Sequence, residues 1–239
     1  MKCPQCGYEQ AAADECERCG VIFSKWKPQP HEEQQDDGLP PPLEAIFGDL
    51  NVLRLAESPL GTISVLTDWP VARQFDIVDP VGRQRGSVLQ QSNAAGIGRR
   101  LFAVFAYPTN QLALSFYRTG MLPTAIVTGA AGEPLGKVDR KFSLIRRHYE
   151  LSDASGRVFA NAVGSMTKLG QFSILDASGQ QRGEISKPWS GYTQEMVTEE
   201  RRFKIDLQNH QWTFVQRALI LVAAVSIDFG TFERRRNRL

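Results

Sequence analysis

The chain has 239 residues, of which 42% are hydrophobic and 23% charged, with 28 Lys+Arg against 26 Asp+Glu. That composition is globular and excludes a disordered, collagen-like or disulfide-framework chain, and a net charge of +2 leaves no electrostatic footprint for a general nucleic-acid binder. All four cysteines lie within the first 19 residues, so the rest of the chain carries no thiol, and a reducing, cytoplasmic location is expected.

From the N-terminus, Met1-Lys2-Cys3-Pro4 begins without the apolar stretch of a secretory signal. Residues 1–26 read as a cysteine-bearing module, Cys3-x2-Cys6-x9-Cys16-x2-Cys19, each pair followed by a glycine (Gly7 and Gly20). Two thiolates in a tight turn bind one metal from the same side, and two such knuckles complete a tetrahedral four-sulfur site. A segment this short has no room for a hydrophobic core, so the metal would be its core. The spacing is that of a short zinc ribbon, with structural zinc on Cys3, Cys6, Cys16 and Cys19. A redox dithiol pair and a rubredoxin-like iron site, which uses similar knuckles, stay open as the alternatives. With all four positions taken by protein, no open site remains for catalysis. The module is poor in bases, which favours a protein partner over nucleic acid.

Residues 27–42 hold five prolines and four acids and read as a solvated, semi-stiff linker. Charge divides near this point. Residues 1–38 carry four bases and eight acids, whereas residues 39–239 carry 24 bases and 18 acids.

Residues 43–239 form the large domain, and it repeats itself. Asp79-Pro80-Val81-Gly82, Asp153-Ala154-Ser155-Gly156 and Asp176-Ala177-Ser178-Gly179 each follow an alternating apolar run, and a looser copy spans Ala125 to Val138 with Gly129, Gly132 and Gly136 in register. Asp bonds its own backbone to start a turn and Gly supplies the positive φ that tight hairpins need. The turn glycines 82, 132, 156 and 179 lie 50, 24 and 23 residues apart, with Tyr107-Pro108-Thr109-Asn110 as a turn in the long gap. Hairpins at this spacing predict a closed antiparallel barrel or a sandwich. Residues 93–106 read as a helix or a strand pair. Residues 212–226 read as a helix that is apolar almost all round, hence buried on every side. Its apolar run, Ala218 to Ile227, would reach roughly 15 Å as a helix. A bilayer core needs about 30 Å, so a core helix is expected rather than a membrane span. An apolar helix in a β domain predicts a barrel wrapped around it.

Lys187-Pro188-Trp189-Ser190-Gly191, Thr198-Glu199-Glu200 with Phe203, and Arg217-Ala218-Leu219 leading to Ile227-Asp228-Phe229 and Phe232-Glu233 resemble the phospholipid scramblase and LURP-one-related families, which share the Tubby C-terminal-like fold. Leu144-Ile145-Arg146-Arg147-His148-Tyr149-Glu150-Leu151 resembles the families' middle hairpin. The resemblance covers residues 55–233. It implies a mainly β barrel of about twelve strands around a hydrophobic C-terminal helix. It also implies a phospholipid-related role. The acidic calcium loop of the eukaryotic members corresponds here to Glu199 and Arg201, and a cation at a ligand position opposes calcium. Their palmitoylated cysteine cluster has no counterpart after Cys19.

No catalytic constellation appears: Gly96-Ile97-Gly98 lacks a following Gly-Lys-Ser/Thr, and His31, His148 and His210 have no metal-ligand spacing. A non-enzymatic protein is expected. Lys137, Arg140, Lys141, Arg146, Arg147 and His148 gather on one predicted hairpin as candidates for binding anionic lipid headgroups or a membrane surface. The alternatives are an adaptor joining protein partners through the ribbon and the barrel, and true lipid scrambling, which would require the apolar helix to leave the core.

Overall fold

The structure is a computed structural model. It describes residues 11, 14, 41–48, 50–58, 71–91, 100–119, 124–143, 146–166, 168, 170–186, 202–208 and 212–231, without the side chains of residues 202 and 228–231. The chain divides into two units, Met1–Leu39 and Pro40–Leu239. In the first, only Ala11 and Asp14 are described, both exposed, so the cysteine module and nearly all of the linker lie outside the described residues.

The second unit opens with helix α1 (Pro42–Phe47). Its first residue is a proline, whose missing N–H costs nothing at that position. Twelve strands follow: β1 (Val52–Ser58), β2 (Val71–Val78), β3 (Gln84–Gln91), β4 (Arg100–Ala106), β5 (Gln111–Thr119), β6 (Thr124–Gly129), β7 (Pro134–Lys141), β8 (His148–Asp153), β9 (Val158–Gly164), β10 (Gln171–Asp176), β11 (Gln181–Ser186) and β12 (Arg202–Asp206). Each pairs antiparallel with its sequence neighbour, and β1 pairs with β12 to close the ring. Closure removes the unpaired edges that an open sheet would expose. The expected closed barrel is the observed fold. Of the ambiguous stretch 93–106, residues 100–106 are strand β4.

The sequence repeat is a repeated turn. Asp79 Oδ1 accepts from the Val81 and Arg83 N–H groups at 3.0 and 2.8 Å. Asp153 accepts from Ser155 and Arg157 at 3.0 Å each, and Asp176 from Ser178 and Gln180 at 2.9 and 3.0 Å. The looser copy has Gly129 where these hairpins have Asp, and the Glu133 carboxylate fills the space that a Cβ there would need. Gly82, Gly132, Gly156 and Gly179 share φ of 82–88°. Next to each of these tips the pairing register shifts by a residue, at Ile77/Val78, Val127/Thr128, Leu151/Ser152 and Ile174/Leu175. Such bulges bend and twist the strands, which helps a sheet to close. The expected turn at 107–110 joins β4 to β5, with Tyr107–Pro108 cis and Asn110 at φ 54°.

Helix α2 (Phe214–Thr231) fills the barrel. It starts two residues later and ends five residues later than the apolar pattern predicts. The start is fixed by a capping box: the Gln216 N–H donates to Thr213 Oγ1 at 3.2 Å, and the Thr213 N–H donates to Gln216 Oε1 at 3.0 Å. At the other end a single acid, Asp228, does not stop a helix whose preceding face is packed. Ala218 to Ile227 are all buried, Ser226 included. Leu219, Ile220, Leu221, Val222, Val225 and Ile227 each gain about 1.5–3 kcal/mol on burial. Together that is of order 10 kcal/mol, comparable to the net stability of a whole domain.

Inward residues of the strands meet this helix. Phe102 and Phe116 stack at 4.6 Å, and Ile46 and Phe47 of α1 close the core at the end where α2 begins. Arg217 fastens that end, donating from Nε to the Trp212 carbonyl at 3.1 Å and from Nη1 to the Gly48 and Leu50 carbonyls at 3.2 and 2.9 Å.

Candidate membrane-facing surface

The antiparallel ring has two ends. At the hairpin end lie the tight turns 79–83, 107–110, 129–133, 153–157 and 176–180, with α1 and the start of α2. At the loop end lie the connections that follow β1, β3, β5, β7, β9 and β11. The candidate headgroup residues belong to β7, β8 and the loop-end connection between them.

Register assigns them to three environments. Lys141 pairs with His148 and Asp139 with Glu150, on the outer face. Lys141 Nζ lies 2.9 Å from Glu150 and Lys137 Nζ 2.8 Å from Asp139. The bond to Asp139, with its negative charge, raises the Lys137 pKa above 10.5. Burial would raise the Asp139 pKa, but hydrogen bonds from Lys137 and from Thr124 Oγ1 at 2.6 Å outweigh it and leave the carboxyl below 3.8. His148 Nε2 bonds Asn161 Oδ1 at 2.8 Å. These three outer-face bases therefore already have partners. Arg140 stands opposite Tyr149, which is fully buried, so it faces the interior with it. Arg146 and Arg147 are exposed in the connection itself, where the Arg146 N–H donates to Ser143 Oγ at 3.2 Å.

The structure adds three residues that the sequence pattern did not single out, Arg73, Arg100 and Arg118, and aligns them with Arg140. On the inner face, the position one step nearer the loop end than Phe75, Phe102, Phe116 and Val138 is an arginine in each case: Arg73, Arg100, Arg118 and Arg140. Arg100 and Arg118 are direct partners across β4 and β5. Arg73 pairs with Glu57 at 2.9 Å and sits 4.9 Å over the Phe75 ring. Tyr149 lies within the field of Arg140, Arg118 and Arg147. Burial raises its pKa above 10.0 while those arginines oppose the shift, and its hydroxyl has no hydrogen-bond partner among the described residues. The apolar lining thus ends in a cationic tier. The signal in the sequence was Phe-x-Arg or Arg-x-Phe at strand ends, which becomes legible only once the inward face of each strand is known.

Lys168 is a further exposed base, in the β9–β10 connection. Over residues 140–150 and 163–171 the chain has five bases and one acid, Glu150. At the opposite end an open groove of about 570 Å³ runs beside Phe159, Asp176, Trp212 and Gln216. Among the described residues no group of three or more His, Cys, Asp or Glu comes together as a metal site. The four cysteines, Glu199, Arg201, His31, His210 and the Lys187–Gly191 motif all lie outside the described residues.

A closed twelve-strand barrel around an apolar C-terminal helix is the architecture that the resemblance implied. The sequence pattern of the Scramblase family matches residues 111–234, more than half of the chain, and the chain belongs to that family. No curated protein matches it. No helix among the described residues is long and apolar enough to cross a membrane.

Proposed function

We propose that this Scramblase-family protein is non-enzymatic and binds the surface of anionic membranes through the basic loop end of its barrel. The observation that carries this reading is the cluster of bases on the β7–β8 and β9–β10 connections, residues 142–147 and 165–170, which hold Arg146, Arg147 and Lys168, all exposed, and no acid. Arginine meets phosphate through a planar fork of donors, and each base near an anionic leaflet contributes about 1 kcal/mol. Co-sedimentation with anionic liposomes tests it. Neutralising Arg140, Lys141, Arg146 and Arg147 together should lower binding strongly, and equal binding by that variant would remove the assignment.

The N-terminal module extends this reading. Four thiolates are the donor set of a structural zinc site, and Cys3, Cys6, Cys16 and Cys19 would hold the ion. When bound, it supplies the cross-link that a segment without a hydrophobic core needs. Elemental analysis should find zinc rather than iron, lost when the cysteines are replaced by serine. The division of the chain into two units favours a second role as an adaptor, with the ribbon holding a protein partner. Deleting residues 1–26 should then abolish partner capture and leave the barrel folded. True scrambling ranks last, because moving α2 out of the barrel would open the whole core to water. Fluorescent-lipid exchange in proteoliposomes, with and without calcium, decides that point.

A further inference from the structure

Five large apolar side chains among the described residues are exposed: Val81, Tyr107, Phe142, Met166 and Phe214. Phe142 and Met166, at 75% and 64% exposure, are both at the loop end. Phe142 follows the last paired residue of β7, Lys141, and Met166 lies two residues beyond Gly164, the last residue of β9. The β7–β8 connection is bonded to the end of β9. The Gly164 N–H donates to the Arg147 carbonyl at 2.8 Å, and a Cβ on Gly164 would lie 3.5 Å from the Arg147 Cβ. Phe142 and Met166 therefore follow β7 and β9 at the same barrel end, with β8 between those strands, and share their connections with Arg146, Arg147 and Lys168.

We propose that Phe142 and Met166 are membrane-inserting tips: the barrel seats loop end down on an anionic bilayer, the two side chains enter the headgroup–acyl boundary, and the bases around them meet lipid phosphates. This deepens the lipid-surface reading and rests on it. The chemistry is that of an interfacial anchor, in which apolar burial and attraction to anionic lipid add to each other. An exposed aromatic has no stabilising contact to lose on leaving water, so its full transfer gain is available for binding. Charge decides against a second copy as occupant. A second copy would bring the same basic surface against this one, whereas an anionic leaflet complements it. Charge also separates these tips from Val81 and Tyr107 at the hairpin end: segment 79–83 has one acid and one base and segment 107–110 has no charged residue, so no cluster of bases accompanies them.

The test uses the full chain and vesicles of phosphatidylcholine with about 30% phosphatidylserine. The double variant Phe142→Ala, Met166→Ala keeps every charge, and its thermal unfolding should match the native chain because both side chains are exposed. Vesicle binding should fall about tenfold, and the binding that survives high salt should vanish. Val81→Ala should bind as the native chain does. In Phe142→Trp, the fluorescence added over the native tryptophans should shift to the blue on vesicles and be quenched by brominated lipid. If the native chain binds vesicles, the double variant binds equally and the added tryptophan stays unquenched, the tips do not insert, while the electrostatic reading stands. If the native chain does not bind these vesicles at all, the lipid-surface reading falls first and takes this inference with it. If the double variant instead changes only the sedimentation of the free protein, the patch joins copies of the chain and the proposal is wrong.

Discussion

At the hairpin end of the barrel the backbone is held by named bonds. Asp79, Asp153 and Asp176 each gather two N–H groups of their own turn, and Arg217 ties three carbonyls from the start of α2 and the α1–β1 turn. At the loop end the same strands finish in arginines on the inner face and in exposed Phe142, Arg146, Arg147 and Met166 outside. The tip segments 79–83, 129–133, 153–157 and 176–180 carry four acids and two bases, against three bases and no acid in two of the loop-end connections, residues 142–147 and 165–170. One end therefore holds the fold through its turns, and the other presents Arg146, Lys168 and the apolar tips to solvent. Binding residues concentrate on loops held by a rigid scaffold.

The sharpest way to break that division is Arg217→Met. It keeps the length of the side chain but strips three carbonyls of a charged donor in a partly buried place. About 3–5 kcal/mol of stability should go, read as a lower midpoint in chemical denaturation with an unchanged slope. Arg146→Gln with Arg147→Gln, at the loop end, should move the midpoint by no more than about 0.5 kcal/mol. Equal losses at the two ends would mean that the loop end is structural as well.

Gly136→Ala comes next. Gly136 has φ of 147°, and a Cβ there would lie 2.2 Å from the Ser152 carbonyl oxygen and 3.0 Å from Leu219 of α2. The strand pair or the helix must shift, at about 2–4 kcal/mol. Gly179→Ala is the control: its turn has open space around the position, and only its positive φ of 82° opposes a side chain, at about 1 kcal/mol. The same measurement on both variants separates close packing from turn conformation.

Much of this architecture was legible in the residues, for a physical reason. Asp-x-x-Gly after an alternating run is a local code, because the bonds that make the turn lie within five residues of one another. An all-round apolar helix needs a surround, and a ring of hairpins is the surround available. The limits of α2 were less legible. Its start depends on Thr213 and Gln216 bonding each other's backbone, which the hydrophobic pattern does not report. The candidate site was legible as a concentration of bases between 137 and 148 but not as a geometry. Alternation decides that Arg140 faces inward beside Tyr149 while Lys137 and Lys141 face outward to Asp139 and Glu150, and that phase depends on the bulges at Val127/Thr128 and Leu151/Ser152. Phe142 and Met166 were not legible at all, since an apolar residue in a polar stretch reads as core until its exposure is known.

The smallest expected effect separates the hairpin end from the outer face of β7 by pH. Asp176 is held well below the usual carboxylate range, first by the Ser178 hydroxyl and then by the Arg182 guanidinium, against a smaller opposing effect of burial. Asp153 is lowered in the same way, first by the Ser155 hydroxyl and, after the opposing burial effect, by the Arg157 backbone and guanidinium. Depressed carboxyls stabilise the fold fully above their unfolded pKa, near 3.8, and lose that contribution as pH falls through the lower folded values. Lys137 has the opposite sign: its contribution is complete below 10.5 and is lost only as pH rises beyond that through its raised value. Melting temperature against pH should therefore bend downward below 3.8, from Asp153 and Asp176 at the hairpin tips together with Asp139 of β7, and at the alkaline end from Lys137 of β7 and Tyr149 of β8. Ser178→Ala with Ser155→Ala should raise the two carboxyl pKa values, read by carboxyl NMR, and shrink the acid bend while the alkaline one stays. An acid bend that the double serine variant leaves unchanged would mean that the tip aspartates do not set the acid limit, and that the hairpin end owes its order to Arg217 and the capping box alone.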